Sequence, residues 1–378
     1  MDSYIDIMGR WVSHYSFFAS SLSDMYDKGG DYIKNALDLF DENRVQIDKQ
    51  WLLARNNFGK SKIIDEAIVR FATSTVVIGI LRYNILDNRI PQLIDALNAA
   101  RRICDRVSES IILNNLGICY KNIGKFHNAI EYYFMSLDIS QEQGDALMEC
   151  LILGNIGTCY RYLKNFDLAL QFYKKQMNVA KITENVKSEA FALGGLATCY
   201  RHLELLELSI EHYSLQIILN RRLENRRGEA FALGGIGSIY ILMGDFYKAI
   251  ECFEKRLFIN DLMNDLHGRG NALCGLCVLY YTMGDLITSL KYCGEHQRAA
   301  LESGDARSYA NACWNMGAIR IRMGEIHYGL NLLKKCVDVE ESIGHPDSQI
   351  HLQILDEILL LVNKGYAVNS IINPLLPY

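Results

Sequence analysis

The chain has 378 residues, 50% of them hydrophobic, and a net charge of −5. This composition excludes a disordered polyelectrolyte, and its mild acidity gives no general pull towards nucleic acid or an anionic membrane surface. The length exceeds that of one compact core but is ordinary for an array that grows along one axis.

From the N-terminus, Met1-Asp2-Ser3-Tyr4 lacks the basic start of a signal peptide. Apolar runs at 11–22, 32–40 and 47–53 predict helices within a region spanning 1–66. Next comes Ala54-Arg55-Asn56-Asn57-Phe58-Gly59-Lys60-Ser61, a phosphate-loop-like string with Ala for its first Gly. A true phosphate loop follows a strand, and this one follows a helical run, so a loop between two helices is expected.

From residue 107 a pattern recurs every 40 residues, six times. Gly117-Ile118-Cys119-Tyr120 is followed by Gly157-Thr158-Cys159-Tyr160, Ala197-Thr198-Cys199-Tyr200, Gly237-Ser238-Ile239-Tyr240, Cys277-Val278-Leu279-Tyr280 and Gly317-Ala318-Ile319-Arg320. Leu113, Leu116, Gly117 and Tyr120 share one helical face. Gly124 then breaks the helix, as Gly244, Gly284 and Gly324 do later, since glycine tolerates positive φ. A second amphipathic run follows with Phe126, Ala129, Ile130, Tyr133 and Leu137, ending at polar turns such as Gly144-Asp145 and Gly304-Asp305. A period of this length marks a solenoid of helix pairs. No proline falls between 92 and 345 to interrupt it.

The register extends outward. Ile90, Leu97 and Asp105 stand 40 residues before Ile130, Leu137 and Asp145, so 67–106 reads as a degenerate repeat with Val77 and Ile80 at the Gly and Tyr positions. At the other end, 351–362 reads as a capping helix striped with Leu352, Leu355, Ile358, Leu359 and Leu361. The region 347–378 is thus a cap and a tail, with disorder expected from 363 onward.

The string small-x-x-Tyr, Gly, aromatic-x-x-Ala-Ile-x-x-Tyr resembles the tetratricopeptide repeat over 107–346. Units of 40 residues exceed the usual ~34. They are similar to the repeats of kinesin light chains, of Pins-type adaptors and of bacterial STAND-type signal-transduction ATPases. Phe40-Asp41-Glu42-Asn43-Arg44-Val45-Gln46-Ile47-Asp48, with Trp51, also resembles the helical connector that precedes such repeats in STAND proteins. A full STAND protein carries a nucleotide-binding motor upstream, so the resemblance implies the sensor part alone. It also implies an all-α, right-handed solenoid whose first helices line a concave ligand groove.

On that alignment three columns face the groove. Four residues after the small position stand Lys121, Arg161, Arg201, Ile241, Tyr281 and Ile321. One residue after it stand Ile118, Thr158, Thr198, Ser238, Val278 and Ala318, and six before it Ile111, Leu151, Phe191, Phe231, Asn271 and Asn311. Candidate contacts are the basic ladder Lys121, Arg161 and Arg201, the hydroxyls of Thr158, Thr198 and Ser238, the rings of Phe191 and Phe231, and the amides of Asn271 and Asn311. Arg320 and Arg322 add a second basic spot. An acidic peptide or protein segment with apolar anchors suits this set. Solvated surface kept in register by duplication is the competing reading. Gly194-Gly195 and Gly234-Gly235 read as close helix packing or as room for a ligand backbone. The chaperone-binding carboxylate clamp would need basic or amide groups at Asn114, Ile118, Thr158, Gly194 and Thr198, and only Asn114 is of a suitable type.

Signals for chemistry are weak. Cys274-x-x-Cys277 has half the spacing of a zinc knuckle, but it lies within a predicted helix and lacks a second pair. Cys119, Cys159 and Cys199 form a packing column. The eleven cysteines lack disulfide-type spacing, which suits a reducing compartment. No His-Glu-x-x-His or Gly-x-Ser-x-Gly occurs. The expectation is a soluble, cytoplasmic, non-catalytic scaffold with no cofactor, no metal and no membrane partner. It would act as a bacterial sensor or adaptor regulating an effector enzyme. The alternatives are a receptor that closes on a small signalling peptide, as certain quorum-sensing regulators do, and a Pins-like adaptor linking two proteins. The acidic total charge argues against RNA along the basic ladder.

Overall fold

The structure is a computed structural model that describes residues 4–27, 31–343 and 347–364. Among these residues all regular structure is helical. None of the helices is long and apolar enough to cross a membrane. The chain divides into two compact units, 1–188 and 189–378.

The first unit opens with α1 (Tyr4–Asp27), α2 (Asp31–Asn56), α3 (Lys62–Ser74), α4 (Val76–Arg82) and α5 (Ile90–Arg102). The runs at 32–40 and 47–53, expected as two helices, are one. Ala36, Phe40, Ile47 and Ala54 are all buried, and their spacing keeps them on one stripe of α2. Two regular pairs follow: α6 (Arg106–Asn122) with α7 (Phe126–Gln143), and α8 (Ala146–Tyr162) with α9 (Phe166–Ile182). Each helix of these two pairs packs chiefly on its chain neighbour, whereas α3 packs chiefly on α1.

The second unit repeats the scheme. It holds α10 (Val186–His202) and α11 (Leu206–Arg222), α12 (Arg226–Met243) and α13 (Phe246–Leu262), α14 (Leu266–Met283) and α15 (Leu286–Ser303), and α16 (Ala306–Arg322) and α17 (Ile326–Ser342). A last helix, α18 (Ser348–Asn363), packs on α17 through Leu355 and Ile358, while Leu352 and Leu359 stay largely exposed. The tail expected to be disordered lies, from 365 on, outside the described residues.

Most joints from α6 to α17 share one mechanism. A residue in the left-handed region ends the helix, and an Asp or Asn side chain caps the next one, except before α7, α11 and α17, whose N-cap residues Lys125, Leu205 and Glu325 form no side-chain cap. At Gly144, φ is +67°, and the Asp145 N–H then donates to the Ser140 carbonyl at 2.9 Å. The Asp145 carboxylate in turn accepts from the Met148 N–H at 3.0 Å. Gly124, Gly244, Gly284 and Gly324 all have positive φ, whereas Lys164, Glu184, Glu204, Glu224 and Asn264 adopt it without being glycine.

Within a pair, glycine on the first helix admits a ring from the second. Gly117 lies against Tyr133, Gly157 against Tyr173 and Gly237 against Phe253. Phe253 is fully buried there, which is worth about 1.5–3 kcal/mol.

Candidate ligand-binding surface on the first helices

In the first unit, Lys121 and Arg161 stand in the last turns of α6 and α8. Both are half-buried. Burial lowers the pKa of Lys121, and the nearby positive charge of Arg161 pushes the same way. The Arg161 guanidinium lies 4.5 Å from the centre of the Tyr162 ring. Burial works against its charge, but contacts with Tyr173 and Tyr162 leave its pKa raised. The largest influences on the two cations are burial and the neighbouring tyrosine and cysteine side chains. Two half-buried cations framed by tyrosines make a positive spot.

Thr158 belongs to the frame. Its hydroxyl donates to the Gly154 carbonyl at 2.8 Å and lies 3.1 Å from the Tyr173 hydroxyl. Tyr162, which is 50% exposed, and Tyr173 are not among the candidates that register alone supplies. A signal for the first exists all the same, because Tyr162 is one residue beyond Arg161.

The second unit holds the remaining candidates. Phe191 on α10 and Phe231 on α12 are 51% and 45% exposed, and Phe231 meets Tyr213 edge-on. Arg201 is half-buried, and its Nε is enclosed without a hydrogen-bond partner among the described residues. Asn271 on α14 and Asn311 on α16 are half-buried.

Two of the three expected hydroxyls do not line a surface. Thr198 and Ser238 are buried, and each hydroxyl donates to a carbonyl of its own helix, at Gly194 and Gly234 respectively. Thr198 also bonds the Tyr213 hydroxyl at 2.9 Å. Val278 and Ala318 at the same position are buried as well, so packing rather than the hydroxyl bond covers this column in the second unit. Ile241, Tyr281 and Ile321 of the basic-ladder column are buried too. Arg320 is engaged by both Glu325 oxygens at 2.9 Å, and Arg322 donates to the Tyr281 carbonyl.

The remaining motifs resolve into packing. The phosphate-loop-like string spans the turn between α2 and α3. Its Gly59 N–H donates to the Asp65 carboxylate, and Arg102 pairs with the same group, so an anion's place is already taken. Cys274 and Cys277 are buried in α14, where Cys274 Sγ accepts from Asn315 and Cys277 Sγ lies 3.6 Å from Ser289 Oγ. Burial pushes the Cys119 and Cys159 thiols up to about 11, which suits inert core groups. Gly194 packs against Gln216, Gly234 against Arg256 and Gly235 against Tyr213.

These features define an all-α protein of tandem helix pairs with an uneven outer surface. Residues 108–182 and 188–257 match the family model described as tetratricopeptide repeat, and those segments are tetratricopeptide repeats. No curated protein matches the chain in sequence. Among solved structures the chain is similar to aspartyl phosphate phosphatase F from Bacillus subtilis, with 11% identity over 90% of this chain and 95% of that one, at a TM-score of 0.63. It is similar to a Rap protein complexed with Competence and Sporulation Factor, with 13% identity over 94% and 99% of the two chains, at 0.58. A third is the STAND protein with a tetratricopeptide repeat sensor from Pyrococcus horikoshii, with 16% identity over 84% of this chain but 50% of that one, at 0.53. At such identities the likeness is one of fold.

Proposed function

We propose that the protein is a non-catalytic, cytoplasmic sensor that binds an acidic peptide or protein segment on its first helices and regulates an effector enzyme. The observation that carries this reading is the pair Lys121 and Arg161, half-buried and framed by tyrosines. Burial disfavours the charged form of Lys121, and an anionic partner would restore it. Arg201, Phe191, Phe231, Asn271 and Asn311 are the proposed contacts of the second unit, and Thr158, Thr198 and Ser238 act beneath them as supports. Fold neighbours in keeping with the reading are a Rap protein solved with a bound factor and a STAND sensor. A receptor for a small signalling peptide is the second reading, favoured by the same Rap complex.

Random-peptide display against the full chain tests both readings. Enriched sequences should be rich in Asp and Glu with interspersed apolar residues, and Arg161→Glu should lose them. Enrichment without acidic bias, or unchanged enrichment by Arg161→Glu, would falsify the assignment. Turnover of an aspartyl phosphate substrate by the chain, in the manner that one neighbour's name describes, would overturn the non-catalytic part.

A further inference from the structure

The C-terminal helices bring together a thiol, a carboxylate and an imidazole that the ligand-binding surface does not use. Cys336 and Glu340 are four residues apart on α17, so they share one face. His351 comes from the first turn of α18. One potential ligand atom from each lies within 4.8 Å of the other two, and His351 Nδ1 is 2.7 Å from a Glu340 oxygen. All three residues are buried, at 0%, 1% and 7% exposure. The Trp314 ring stacks on the His351 ring with centroids 4.3 Å apart, which fixes the imidazole plane. Leu333, Val337 and Leu355 belong to the same core cluster as Cys336.

We propose that Cys336, Glu340 and His351 form a zinc site that ties α18 to α17. Tetrahedral zinc with Zn–N and Zn–O near 2.0–2.1 Å and Zn–S near 2.3 Å sets its ligands about 3.3–3.8 Å apart. The observed cluster brackets that spacing, so small side-chain adjustments suffice. A thiolate and an imidazole select zinc over magnesium or calcium, which take oxygen ligands. The charge fits the burial: thiolate and carboxylate contribute two negative charges that Zn²⁺ cancels, with the imidazole neutral. On binding, the thiol proton and the proton shared between His351 and Glu340 leave to solvent, and the fourth position takes water.

The repeat register sets this helix pair apart. The positions of Cys336, Glu340 and His351 are taken in the preceding units by His296, Ala300 and Asn311, then by Arg256, Asn260 and Asn271. No earlier unit combines the three donor types. Sequence spacing points instead to Cys274 and Cys277 and predicts no metal ligand, since nothing in it joins residues across the joint between α17 and α18.

Cobalt titration of the reduced, metal-free full chain tests the site. One equivalent of Co²⁺ should raise a thiolate-to-cobalt charge-transfer band, and one of Zn²⁺ should abolish it. Exposed histidines cannot produce that band. Cys336→Ala should lose it, Glu340→Gln should bind at least about tenfold more weakly, and Cys313→Ser, a buried thiol outside the cluster, should retain it. Circular dichroism reports whether each variant folds, and Glu340→Gln decides the matter if Cys336→Ala does not fold. Absence of the band in the wild type overturns the proposal. So does its persistence in Cys336→Ala, or wild-type affinity in Glu340→Gln.

Discussion

The segment 62–102 and the pair α6–α7 that follows it occupy the same repeat register but solve the same packing problem differently. In every regular unit one buried position near the start of the second helix is small: Ala129, Ala169, Ser209, Ala249, Ser289 and Gly329. In the N-terminal segment that position is Arg89. Its side chain is enclosed against Gly79, and its guanidinium donates to the Ala72 and Thr75 carbonyls at 3.0 Å and to the Thr75 hydroxyl. The first helix is correspondingly broken at Thr75 into α3 and α4, and the start of the second becomes a π-helical turn at Ile85–Arg89. Where the regular units carry a small residue, this segment carries an arginine that bonds carbonyls beside the break. The break and the oversized residue thus go together.

The largest expected effect follows from this. Arg89→Ala should destabilise the protein by about 4 kcal/mol, since it removes the buried hydrogen bonds to the Ala72 and Thr75 carbonyls and opens a cavity. Burial lowers the pKa of Arg89 to about 10, and no carboxylate acts on it, so its charge depends on those carbonyls. Arg89→Met, which keeps the volume and loses the hydrogen bonds, separates packing from polar satisfaction. Chemical denaturation measures both, and a cost below about 1 kcal/mol for Arg89→Ala would assign the break to other residues.

Regular pairs also bury polar side chains, one to two turns further along, without breaking a helix. His296 is an example on α15. Its Nε2 is 2.8 Å from Ser308 Oγ, and its Nδ1 is enclosed without a partner among the described residues. Burial lowers its pKa from 6.5 to about 4, with Asp305 opposing and His267 adding to the shift. The folded state therefore keeps His296 neutral while the unfolded chain takes up a proton. Stability from this group is present above pH 6.5 and is lost as pH falls towards 4, by about 3 kcal/mol at the acid limit. Melting curves of the wild type and His296→Gln across that window should converge at low pH. Parallel curves would show that the imidazole titrates in the folded state.

Gly117 and Gly79 sharpen the comparison on a smaller scale. A methyl group at Gly117 would collide with the buried Tyr133 ring, so Gly117→Ala should cost about 1–3 kcal/mol. At Gly79 the methyl group meets the Arg89 guanidinium, 2.8 Å away. In an Arg89→Ala background that obstacle is gone, and Gly79→Ala should become neutral or stabilising. A double-mutant cycle measures this coupling, and additivity would mean that the two residues do not share the space.

Much of this architecture is legible in the sequence because a 40-residue period repeats its own boundary signals. The glycines at 124, 244, 284 and 324 and the capping aspartates mark joints that the structure places there. The polar stretch at 41–46 misleads, because its residues lie on the outer face of one long helix whose buried stripe runs on through Ile47 and Ala54. The break at Thr75 is not visible in periodicity, since it goes with one oversized residue fourteen positions away. Of the candidate surface, the basic residues after the tyrosines could be found by register. The burial of Thr198 and Ser238 could not, because it depends on what packs over that column, which the register leaves out.

The smallest effect concerns the joints themselves. Gly124 and Lys164 occupy equivalent positions with φ of 75° and 58°. The left-handed region costs a residue with a Cβ roughly 1–2 kcal/mol, whereas glycine gives back part of that gain through the greater freedom of its unfolded chain. Lys164→Gly should therefore stabilise the protein by about 0.5–1 kcal/mol and Gly124→Ala should destabilise it by a similar amount. No steric clash complicates the second substitution, as nothing lies within 4 Å of the place a Cβ would take at Gly124. Opposite and nearly equal shifts in the denaturation midpoint would show that the joints act through backbone conformation alone. If Lys164→Gly proved destabilising, the lysine side chain would have a role at its joint that the conformational argument leaves out, and the two kinds of joint would not be interchangeable.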